Sequence, residues 1–213
     1  MIKTTLNRIK QEKLIAEIRS ENPDQAYSLV QAIIDGGIGI IEVALTIPDG
    51  NDLIRKLSKE DGILVGVGSV LTVREAQEAI GLGAKFISSP VWNQDLVPVC
   101  RQEGVACILS GSTPSEIYTC MRAGADIVKV FPTDALGGPA YIEEILKILP
   151  FFKIMVSGVR SHETFRQYVP LGVEAVALGE VLIPKRALAS EDYGAISREA
   201  SRFISLKSER RVA

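Results

Sequence analysis

The sequence predicts an α/β protein of the (β/α)8 TIM barrel class, and three observations predict it. Glycine followed by a short apolar run recurs along the chain, amphipathic segments separate the runs, and the units number eight. The glycines that open the clearest runs are Gly37, Gly62, Gly83, Gly104, Gly124 and Gly172, at spacings of 25, 21, 21, 20 and 48 residues. The last gap is two units long and holds the strand Lys153-Ile154-Met155-Val156-Ser157. A glycine in this place reads as the left-handed C-cap of a helix feeding the next strand. Strands that are apolar throughout fit a parallel sheet covered on both faces.

In chain order, residues 7–13 are expected to form a short leading helix. The first strand is Lys13-Leu14-Ile15-Ala16-Glu17-Ile18, and the amphipathic stretch Pro23–Asp35 follows it. Gly39-Ile40-Ile41-Glu42-Val43-Ala44-Leu45 is the second strand and Val65-Gly66-Val67-Gly68-Ser69 the third. Gly83-Ala84-Lys85-Phe86-Ile87 and Gly104-Val105-Ala106-Cys107-Ile108 supply the fourth and fifth. After the amphipathic Pro114–Ala123 comes the sixth, Asp126-Ile127-Val128-Lys129-Val130-Phe131-Pro132. The seventh lies in the long gap, and Gly172-Val173-Glu174-Ala175-Val176 is the eighth. Residues 187–206 would close the outside. Eight strand–helix units in 213 residues match a compact barrel. A doubly wound open sheet is the alternative that unit count leaves open. No linker divides the chain, so residues 1–213 are expected to be one domain.

Composition narrows the function. A net charge of −2 gives no basic face for nucleic acid. The basic run Lys207-Ser208-Glu209-Arg210-Arg211 reads as a solvated, frayed tail. No apolar run approaches the ~18 residues of a membrane helix, and the charged start does not resemble a secretory signal. Cys100, Cys107 and Cys120 have no metal-type spacing and suggest reduced, partly buried thiols in a cytoplasmic protein. The single histidine, His162, excludes His-based triads and multi-histidine zinc sites. It is expected to face solvent at a helix start.

Two charged residues stand where strands should be apolar. Lys129 is the centre of the sixth strand, and strand parity groups it with Ile127 and Phe131. Glu42 is equally anomalous in the second. Desolvation is expected to push the Lys129 pKa down from ~10.4, which would release a nucleophilic amine suited to a carbonyl carbon. A purely structural Glu42–Lys129 ion pair is the plain alternative. It contributes little net stability, because desolvation offsets much of the attraction. Ser69 and Ser157 end the third and seventh strands, where a hydroxyl often just satisfies a backbone group. Gly66-Val67-Gly68 lacks the third glycine of a nucleotide loop and reads as a tight strand-to-loop turn. Gly137-Gly138 reads first as a flexible loop.

Lys129-Val130-Phe131-Pro132, followed by Gly137-Gly138, resembles the Schiff-base segment of the 2-keto-3-deoxy-6-phosphogluconate (KDPG) and 2-keto-4-hydroxyglutarate (KHG) aldolases. Ile41-Glu42-Val43-Ala44-Leu45, Val65-Gly66-Val67-Gly68-Ser69-Val70-Leu71, Ile87-Ser88-Ser89-Pro90, Gly111-Ser112-Thr113-Pro114-Ser115-Glu116 and Leu182-Ile183-Pro184 extend the likeness in the same order. The resemblance implies a class I aldolase on a (β/α)8 barrel, a homotrimer, with no metal or organic cofactor. It gives Lys129 the imine-forming role and Glu42 the acid/base role. Ser69, Pro90, Phe131, Ser157, Gly158 and Gly179 fall at substrate-binding positions. Three positions depart from the family pattern. Thr46 stands where the family has a substrate-binding arginine, Val159 replaces a second glycine after Gly158, and Glu180 replaces a serine that helps to bind phosphate. A carboxylate there would repel a phosphate.

The expected chemistry is cleavage of a 2-keto-4-hydroxy acid, KDPG or an unphosphorylated relative such as KHG, to pyruvate and an aldehyde. Neutral Lys129 would attack the ketone, and Glu42 would move protons. Either desolvation keeps the amine neutral, or proton transfer to Glu42 accompanies attack. A non-catalytic barrel that binds a small molecule, and another barrel acting on phosphorylated small molecules, remain as alternatives.

Overall fold

A computed structural model describes residues 1–208. Helix and strand alternate as α1 (Ile2–Glu12), β1 (Leu14–Ile18), α2 (Pro23–Asp35), β2 (Ile40–Ala44), α3 (Gly50–Leu57), β3 (Leu64–Gly68), α4 (Val73–Gly81), β4 (Phe86–Ser88), α5 (Leu96–Glu103), β5 (Ala106–Ser110), α6 (Pro114–Ala123), β6 (Ile127–Val130), α7 (Gly138–Ile148), β7 (Ile154–Ser157), α8 (His162–Tyr168), β8 (Ala175–Leu178), α9 (Lys185–Ala189) and α10 (Tyr193–Ser208). Each strand pairs in parallel with its sequence neighbour, and β1 also pairs with β8. The sheet is therefore a closed (β/α)8 barrel, and the open-sheet alternative falls.

Local chemistry sets the element ends. Asn22 caps α2 by accepting from the amides of Asp24 and Gln25, with Pro23 in the first turn. Thr72 with Glu75, and Thr113 with Glu116, form reciprocal capping boxes that start α4 and α6. Gly37, Gly62, Gly83, Gly104, Gly124 and Gly172 all have positive φ; all but Gly62 sit at a helix end as expected, whereas α3 is capped by Ser58 and Gly62 turns the chain further on.

Strand alternation then builds two cores. One face of each strand packs outward under the helices, as with Ile41, Val43, Val65, Val67, Val128 and Val156. The other face fills the barrel with Ile15, Ile40, Leu64, Phe86, Ala106, Ile108, Ile127, Met155, Ala175 and Ala177. Ile9 of α1 joins this inner cluster, with Ile2 and Leu6 packed against it. Helix α1 thus stoppers the end of the barrel where the strands begin. The interior is packed there, which leaves the strand C-terminal ends for polar groups.

Several expectations change. The leading helix is longer than residues 7–13, because Ile2, Leu6 and Ile9 recur at helical spacing and bury together. Lys13 leaves the first strand and serves as the left-handed cap of α1, with φ 63°. The closing segment is two helices, α9 and α10, with Glu191 between them at φ 54°. His162 starts α8 as expected but is only partly exposed. Its ring stacks on Phe203 at 4.7 Å, and its Nε2 lies 2.5 Å from Glu199 Oε1. In the basic run, Lys207 is docked by donating to the Glu12 carbonyl at 3.0 Å. Glu209, Arg210 and Arg211 lie outside the described residues.

Gly66 and Gly68 are strand residues, not a turn. A Cβ on Gly66 would sit 2.2 Å from the Phe86 ring, and one on Gly68 would sit 2.2 Å from Glu42 Oε1. Glycine is required because neighbouring side chains occupy the space. Gly66→Ala should cost about 1–3 kcal/mol by overpacking, read as a lowered midpoint of urea unfolding. Combined with Phe86→Leu, which withdraws the ring, it should cost less than the two single changes added together. Strict additivity would contradict this contact.

Candidate active site

The inner faces of β1, β2 and β6 bring three ionisable side chains together at the barrel mouth. Glu17 and Glu42 are register partners on β1 and β2. Side by side they would repel, but the Lys129 ammonium lies between them. Its Nζ donates to Glu42 Oε1 at 2.7 Å, to Glu42 Oε2 at 3.0 Å and to Glu17 Oε1 at 2.7 Å. The three side chains are 8% (Lys129), 12% (Glu17) and 4% (Glu42) exposed, so water does little to screen the contacts.

Glu17 was not singled out by sequence reasoning, although Leu14-Ile15-Ala16-Glu17-Ile18 gives it the same apolar flanks as Glu42. Its second oxygen, Oε2, accepts from Ser157 Oγ at 2.9 Å, which ties β7 to the cluster. Arg19 was also missed. It directly follows β1 and reaches past β2, where its Nη1 donates to Ser69 Oγ at 3.3 Å. A charged residue two positions beyond an inward-facing Glu17, at a strand C-terminal end, was the available signal.

The electrostatics differ from the sequence expectation. Burial pushes the Lys129 pKa down, but the two carboxylates outweigh it and hold the ammonium above the ordinary lysine value. Lys129 therefore rests charged, not neutral. Burial pushes Glu42 up, reinforced by the Glu17 charge, and Lys129 does not fully offset this, so Glu42 stays above the usual carboxylate range. Burial acts on Glu17 too. Lys129, the Ser157 hydroxyl and Arg19 overcome it and hold Glu17 below that range. Two adjacent carboxylates thus sit in opposed environments, the arrangement that separates a proton carrier from a fixed charge.

The other expected positions divide. Ser69, at φ 62°, and buried Ser157 meet the cluster through Arg19 and Glu17. Gly179 lies against Glu17: a Cβ there would be 3.6 Å from its Oε2. Gly158, at φ 85°, packs beside Pro132 and Phe131, and Phe131 itself is half exposed just past the end of β6. Thr46, Pro90 and Glu180 are exposed on the loops after β2, β4 and β8. Val159 is buried, and the amide of the next residue, Arg160, donates to Asp134 at 2.9 Å. Gly137 and Gly138, at φ 120° and 68°, form the turn that opens α7. Ser88, on the same strand face as Phe86, has a buried hydroxyl with no hydrogen-bond partner among the described residues. No group of three His, Cys, Asp or Glu among the described residues is placed to hold a metal ion.

Comparison with known proteins identifies the family. The chain is 27% identical over 195 residues to the 2-dehydro-3-deoxy-phosphogluconate aldolase of Treponema pallidum, covering 91% of this chain and 93% of that one. It is 29% identical over 182 residues to the KHG/KDPG aldolase of Escherichia coli K12, covering 85% of each. A solved structure described as native KDPGal superposes with a TM-score of 0.80 at 26% identity, covering 91% of this chain and 93% of that one. The family model for KDPG and KHG aldolases matches residues 5–199. The chain belongs to the KDPG and KHG aldolase family.

Proposed function

We propose that the protein is a class I aldolase that cleaves a 2-keto-4-hydroxy acid to pyruvate and an aldehyde through an imine on Lys129. The observation that carries this reading is a lysine buried at the barrel mouth with carboxylate oxygens at 2.7 Å on two sides. Such a lysine is costly to bury and is matched to its anions, as expected of a group kept for chemistry.

Because Lys129 rests as an ammonium, attack is coupled to proton transfer. Glu42 is the acceptor, since its environment raises its affinity for a proton toward the working pH. The freed amine adds to C2 of the keto acid, and the carbonyl electrons move to oxygen. Glu42 returns the proton to the carbinolamine hydroxyl, which leaves as water. An ammonium and a ketone become a protonated imine and water. Glu42, directly or through a water, then takes the proton from the C4 hydroxyl. The C3–C4 bond electrons flow into the imine, which releases the aldehyde and leaves an enamine. Protonation at C3 and hydrolysis release pyruvate and restore Lys129.

Arg19 and Ser69 supply the anchor for the keto-acid carboxylate. Their contact at the ends of β1 and β3 puts a guanidinium beside the cluster. It offers the charge-assisted donors that Thr46 lacks. The unpartnered Ser88 hydroxyl provides a further donor within the mouth. Exposed Glu180, at the start of the one-turn 3-10 helix after β8, supports an unphosphorylated aldehyde half, of which KHG is an example. A homotrimer is the family expectation, and exposed Leu71, Val91 and Trp92 on the loops after β3 and β4 offer an apolar face for it. Buried, unpaired Cys100, Cys107 and Cys120 support a reducing, cytoplasmic setting. Burial pushes the Cys120 thiol up to about 11, so it stays protonated.

Borohydride reduction in the presence of pyruvate should attach one reduced pyruvyl group to the peptide carrying Lys129, and Lys129→Met should abolish the adduct. An unmodified peptide in the wild-type protein would defeat the imine reading. Arg19→Ala should raise KM for the keto acid about 10- to 100-fold, the loss of one charge-assisted hydrogen-bonding group. An unchanged KM would remove Arg19 from the anchor. In side-by-side rates, an unphosphorylated 2-keto-4-hydroxy acid should exceed KDPG in kcat/KM. Strong preference for the phosphorylated compound would refute the assignment to Glu180.

A further inference from the structure

Lys129 has more anionic partners than burial requires. Glu42 alone presents both oxygens to its Nζ, at 2.7 and 3.0 Å. A second carboxylate adds another desolvation cost and the repulsion of its register partner. Glu17 is nonetheless held firmly. Its Oε1 meets Nζ at 2.7 Å, its Oε2 takes the Ser157 hydroxyl at 2.9 Å, and Gly179 leaves the space beside it free of a side chain.

We propose that Glu17 is a second catalytic carboxylate, a counterion held against Lys129 by its contact with Nζ and by Ser157, that keeps positive charge on the Lys129 nitrogen after the imine forms. The inference rests on the aldolase reading above and extends it. Imine formation converts an ammonium and a ketone into a protonated imine and water, so the positive charge stays on one nitrogen. The anion beside that nitrogen is needed equally before and after the step. Glu42 cannot serve throughout, because it becomes neutral whenever it carries the proton that it shuttles. Glu17 is suited to the fixed role. The charged groups acting on it are Lys129 of β6 and Arg19 at the end of β1, both cations, with Glu42 of β2 the one anion beside it. Strand β7 contributes the uncharged Ser157 and β8 the backbone of Gly179. Protonated, the imine is the electron sink for C3–C4 cleavage; neutral, it is a poor one. Glu17 thus sets how far into alkaline pH the adduct remains competent.

The test is the pH dependence of borohydride trapping at saturating pyruvate, compared between wild type and Glu17→Gln. The amide keeps the shape and a partner for Ser157 but removes the charge. An opposite charge at this range shifts a pKa by about 1–3 units, so the alkaline limb of trapping should move to lower pH by about that amount. Glu17→Asp should restore most of the wild-type limb. Should Glu17→Gln fail to fold, Glu17→Met fills a similar volume without charge and should show the same displacement. A neutral variant that folds, forms the adduct and keeps the wild-type limb would reduce Glu17 to a packing role and overturn the proposal alone. No adduct in the wild-type protein at any pH would overturn the aldolase reading itself.

Discussion

The structure turns on one arrangement of charge: an ammonium between two carboxylates at the top of an otherwise apolar tube. Each of the three would be costly to bury singly as an ion. An isolated ion in such a place costs several kcal/mol even after relaxation. Together they satisfy each other, with every Lys129–carboxylate contact at 3.0 Å or less. The surrounding sequence makes room for them. Gly68 carries no side chain because the Glu42 carboxylate fills that volume, and Gly179 lies against Glu17, where a Cβ would come to 3.6 Å from its Oε2. Phe86, lying over Gly66, belongs to the apolar packing within the barrel.

The cluster is asymmetric in a way that geometry alone would not predict. Both carboxylates touch the same nitrogen at 2.7 Å, yet their proton affinities move in opposite directions. The difference comes from their other neighbours. Glu17 also receives a hydroxyl hydrogen bond from Ser157, whereas the Arg19 guanidinium acts on both carboxylates. Glu42 is more deeply buried and feels Glu17 as a like charge. Strand order produces this, since β1 lies between β2 and β8 in the closed barrel, and β7 follows one place further round. Closure of the sheet brings residues as far apart as Glu17 and Ser157 into one hydrogen bond.

The fold was highly legible in the sequence. Eight apolar runs and the glycine punctuation gave strand count and order, because a buried parallel strand has little freedom in composition. Pro23–Asp35 and Pro114–Ala123 have the helix bounds that the sequence suggested. Half of the cluster was equally legible, since Glu42 and Lys129 interrupt apolar strands. Glu17 interrupts one in the same manner, but it was passed over within a strand used only to complete the count of eight. The direction of the Lys129 shift was misjudged for a related reason. Desolvation acts on a single residue and can be read from its flanks, whereas the opposing anions come from β1 and β2, more than 80 positions away. The Gly66 and Gly68 reading failed similarly, because what fills their space comes from β4 and β2.

The position of the guanidinium bears on how such a site tolerates change. Thr46, on the loop after β2, has no cationic group, whereas Arg19 stands at the end of the neighbouring strand β1. On the proposed reading, a keto-acid carboxylate needs only a forked donor near Ser69, and adjacent strand ends of a barrel are interchangeable sources of one. A cation on β1 has a second consequence that one on the β2 loop would not share to the same degree. It lies two residues past Glu17 in the chain and helps to hold that carboxylate ionised. On that reading, substrate anchoring and control of charge at Lys129 are coupled through one side chain. When a substrate carboxylate neutralises Arg19, its pull on Glu17 weakens, and the ammonium and the imine that replaces it become the principal charges keeping Glu17 deprotonated.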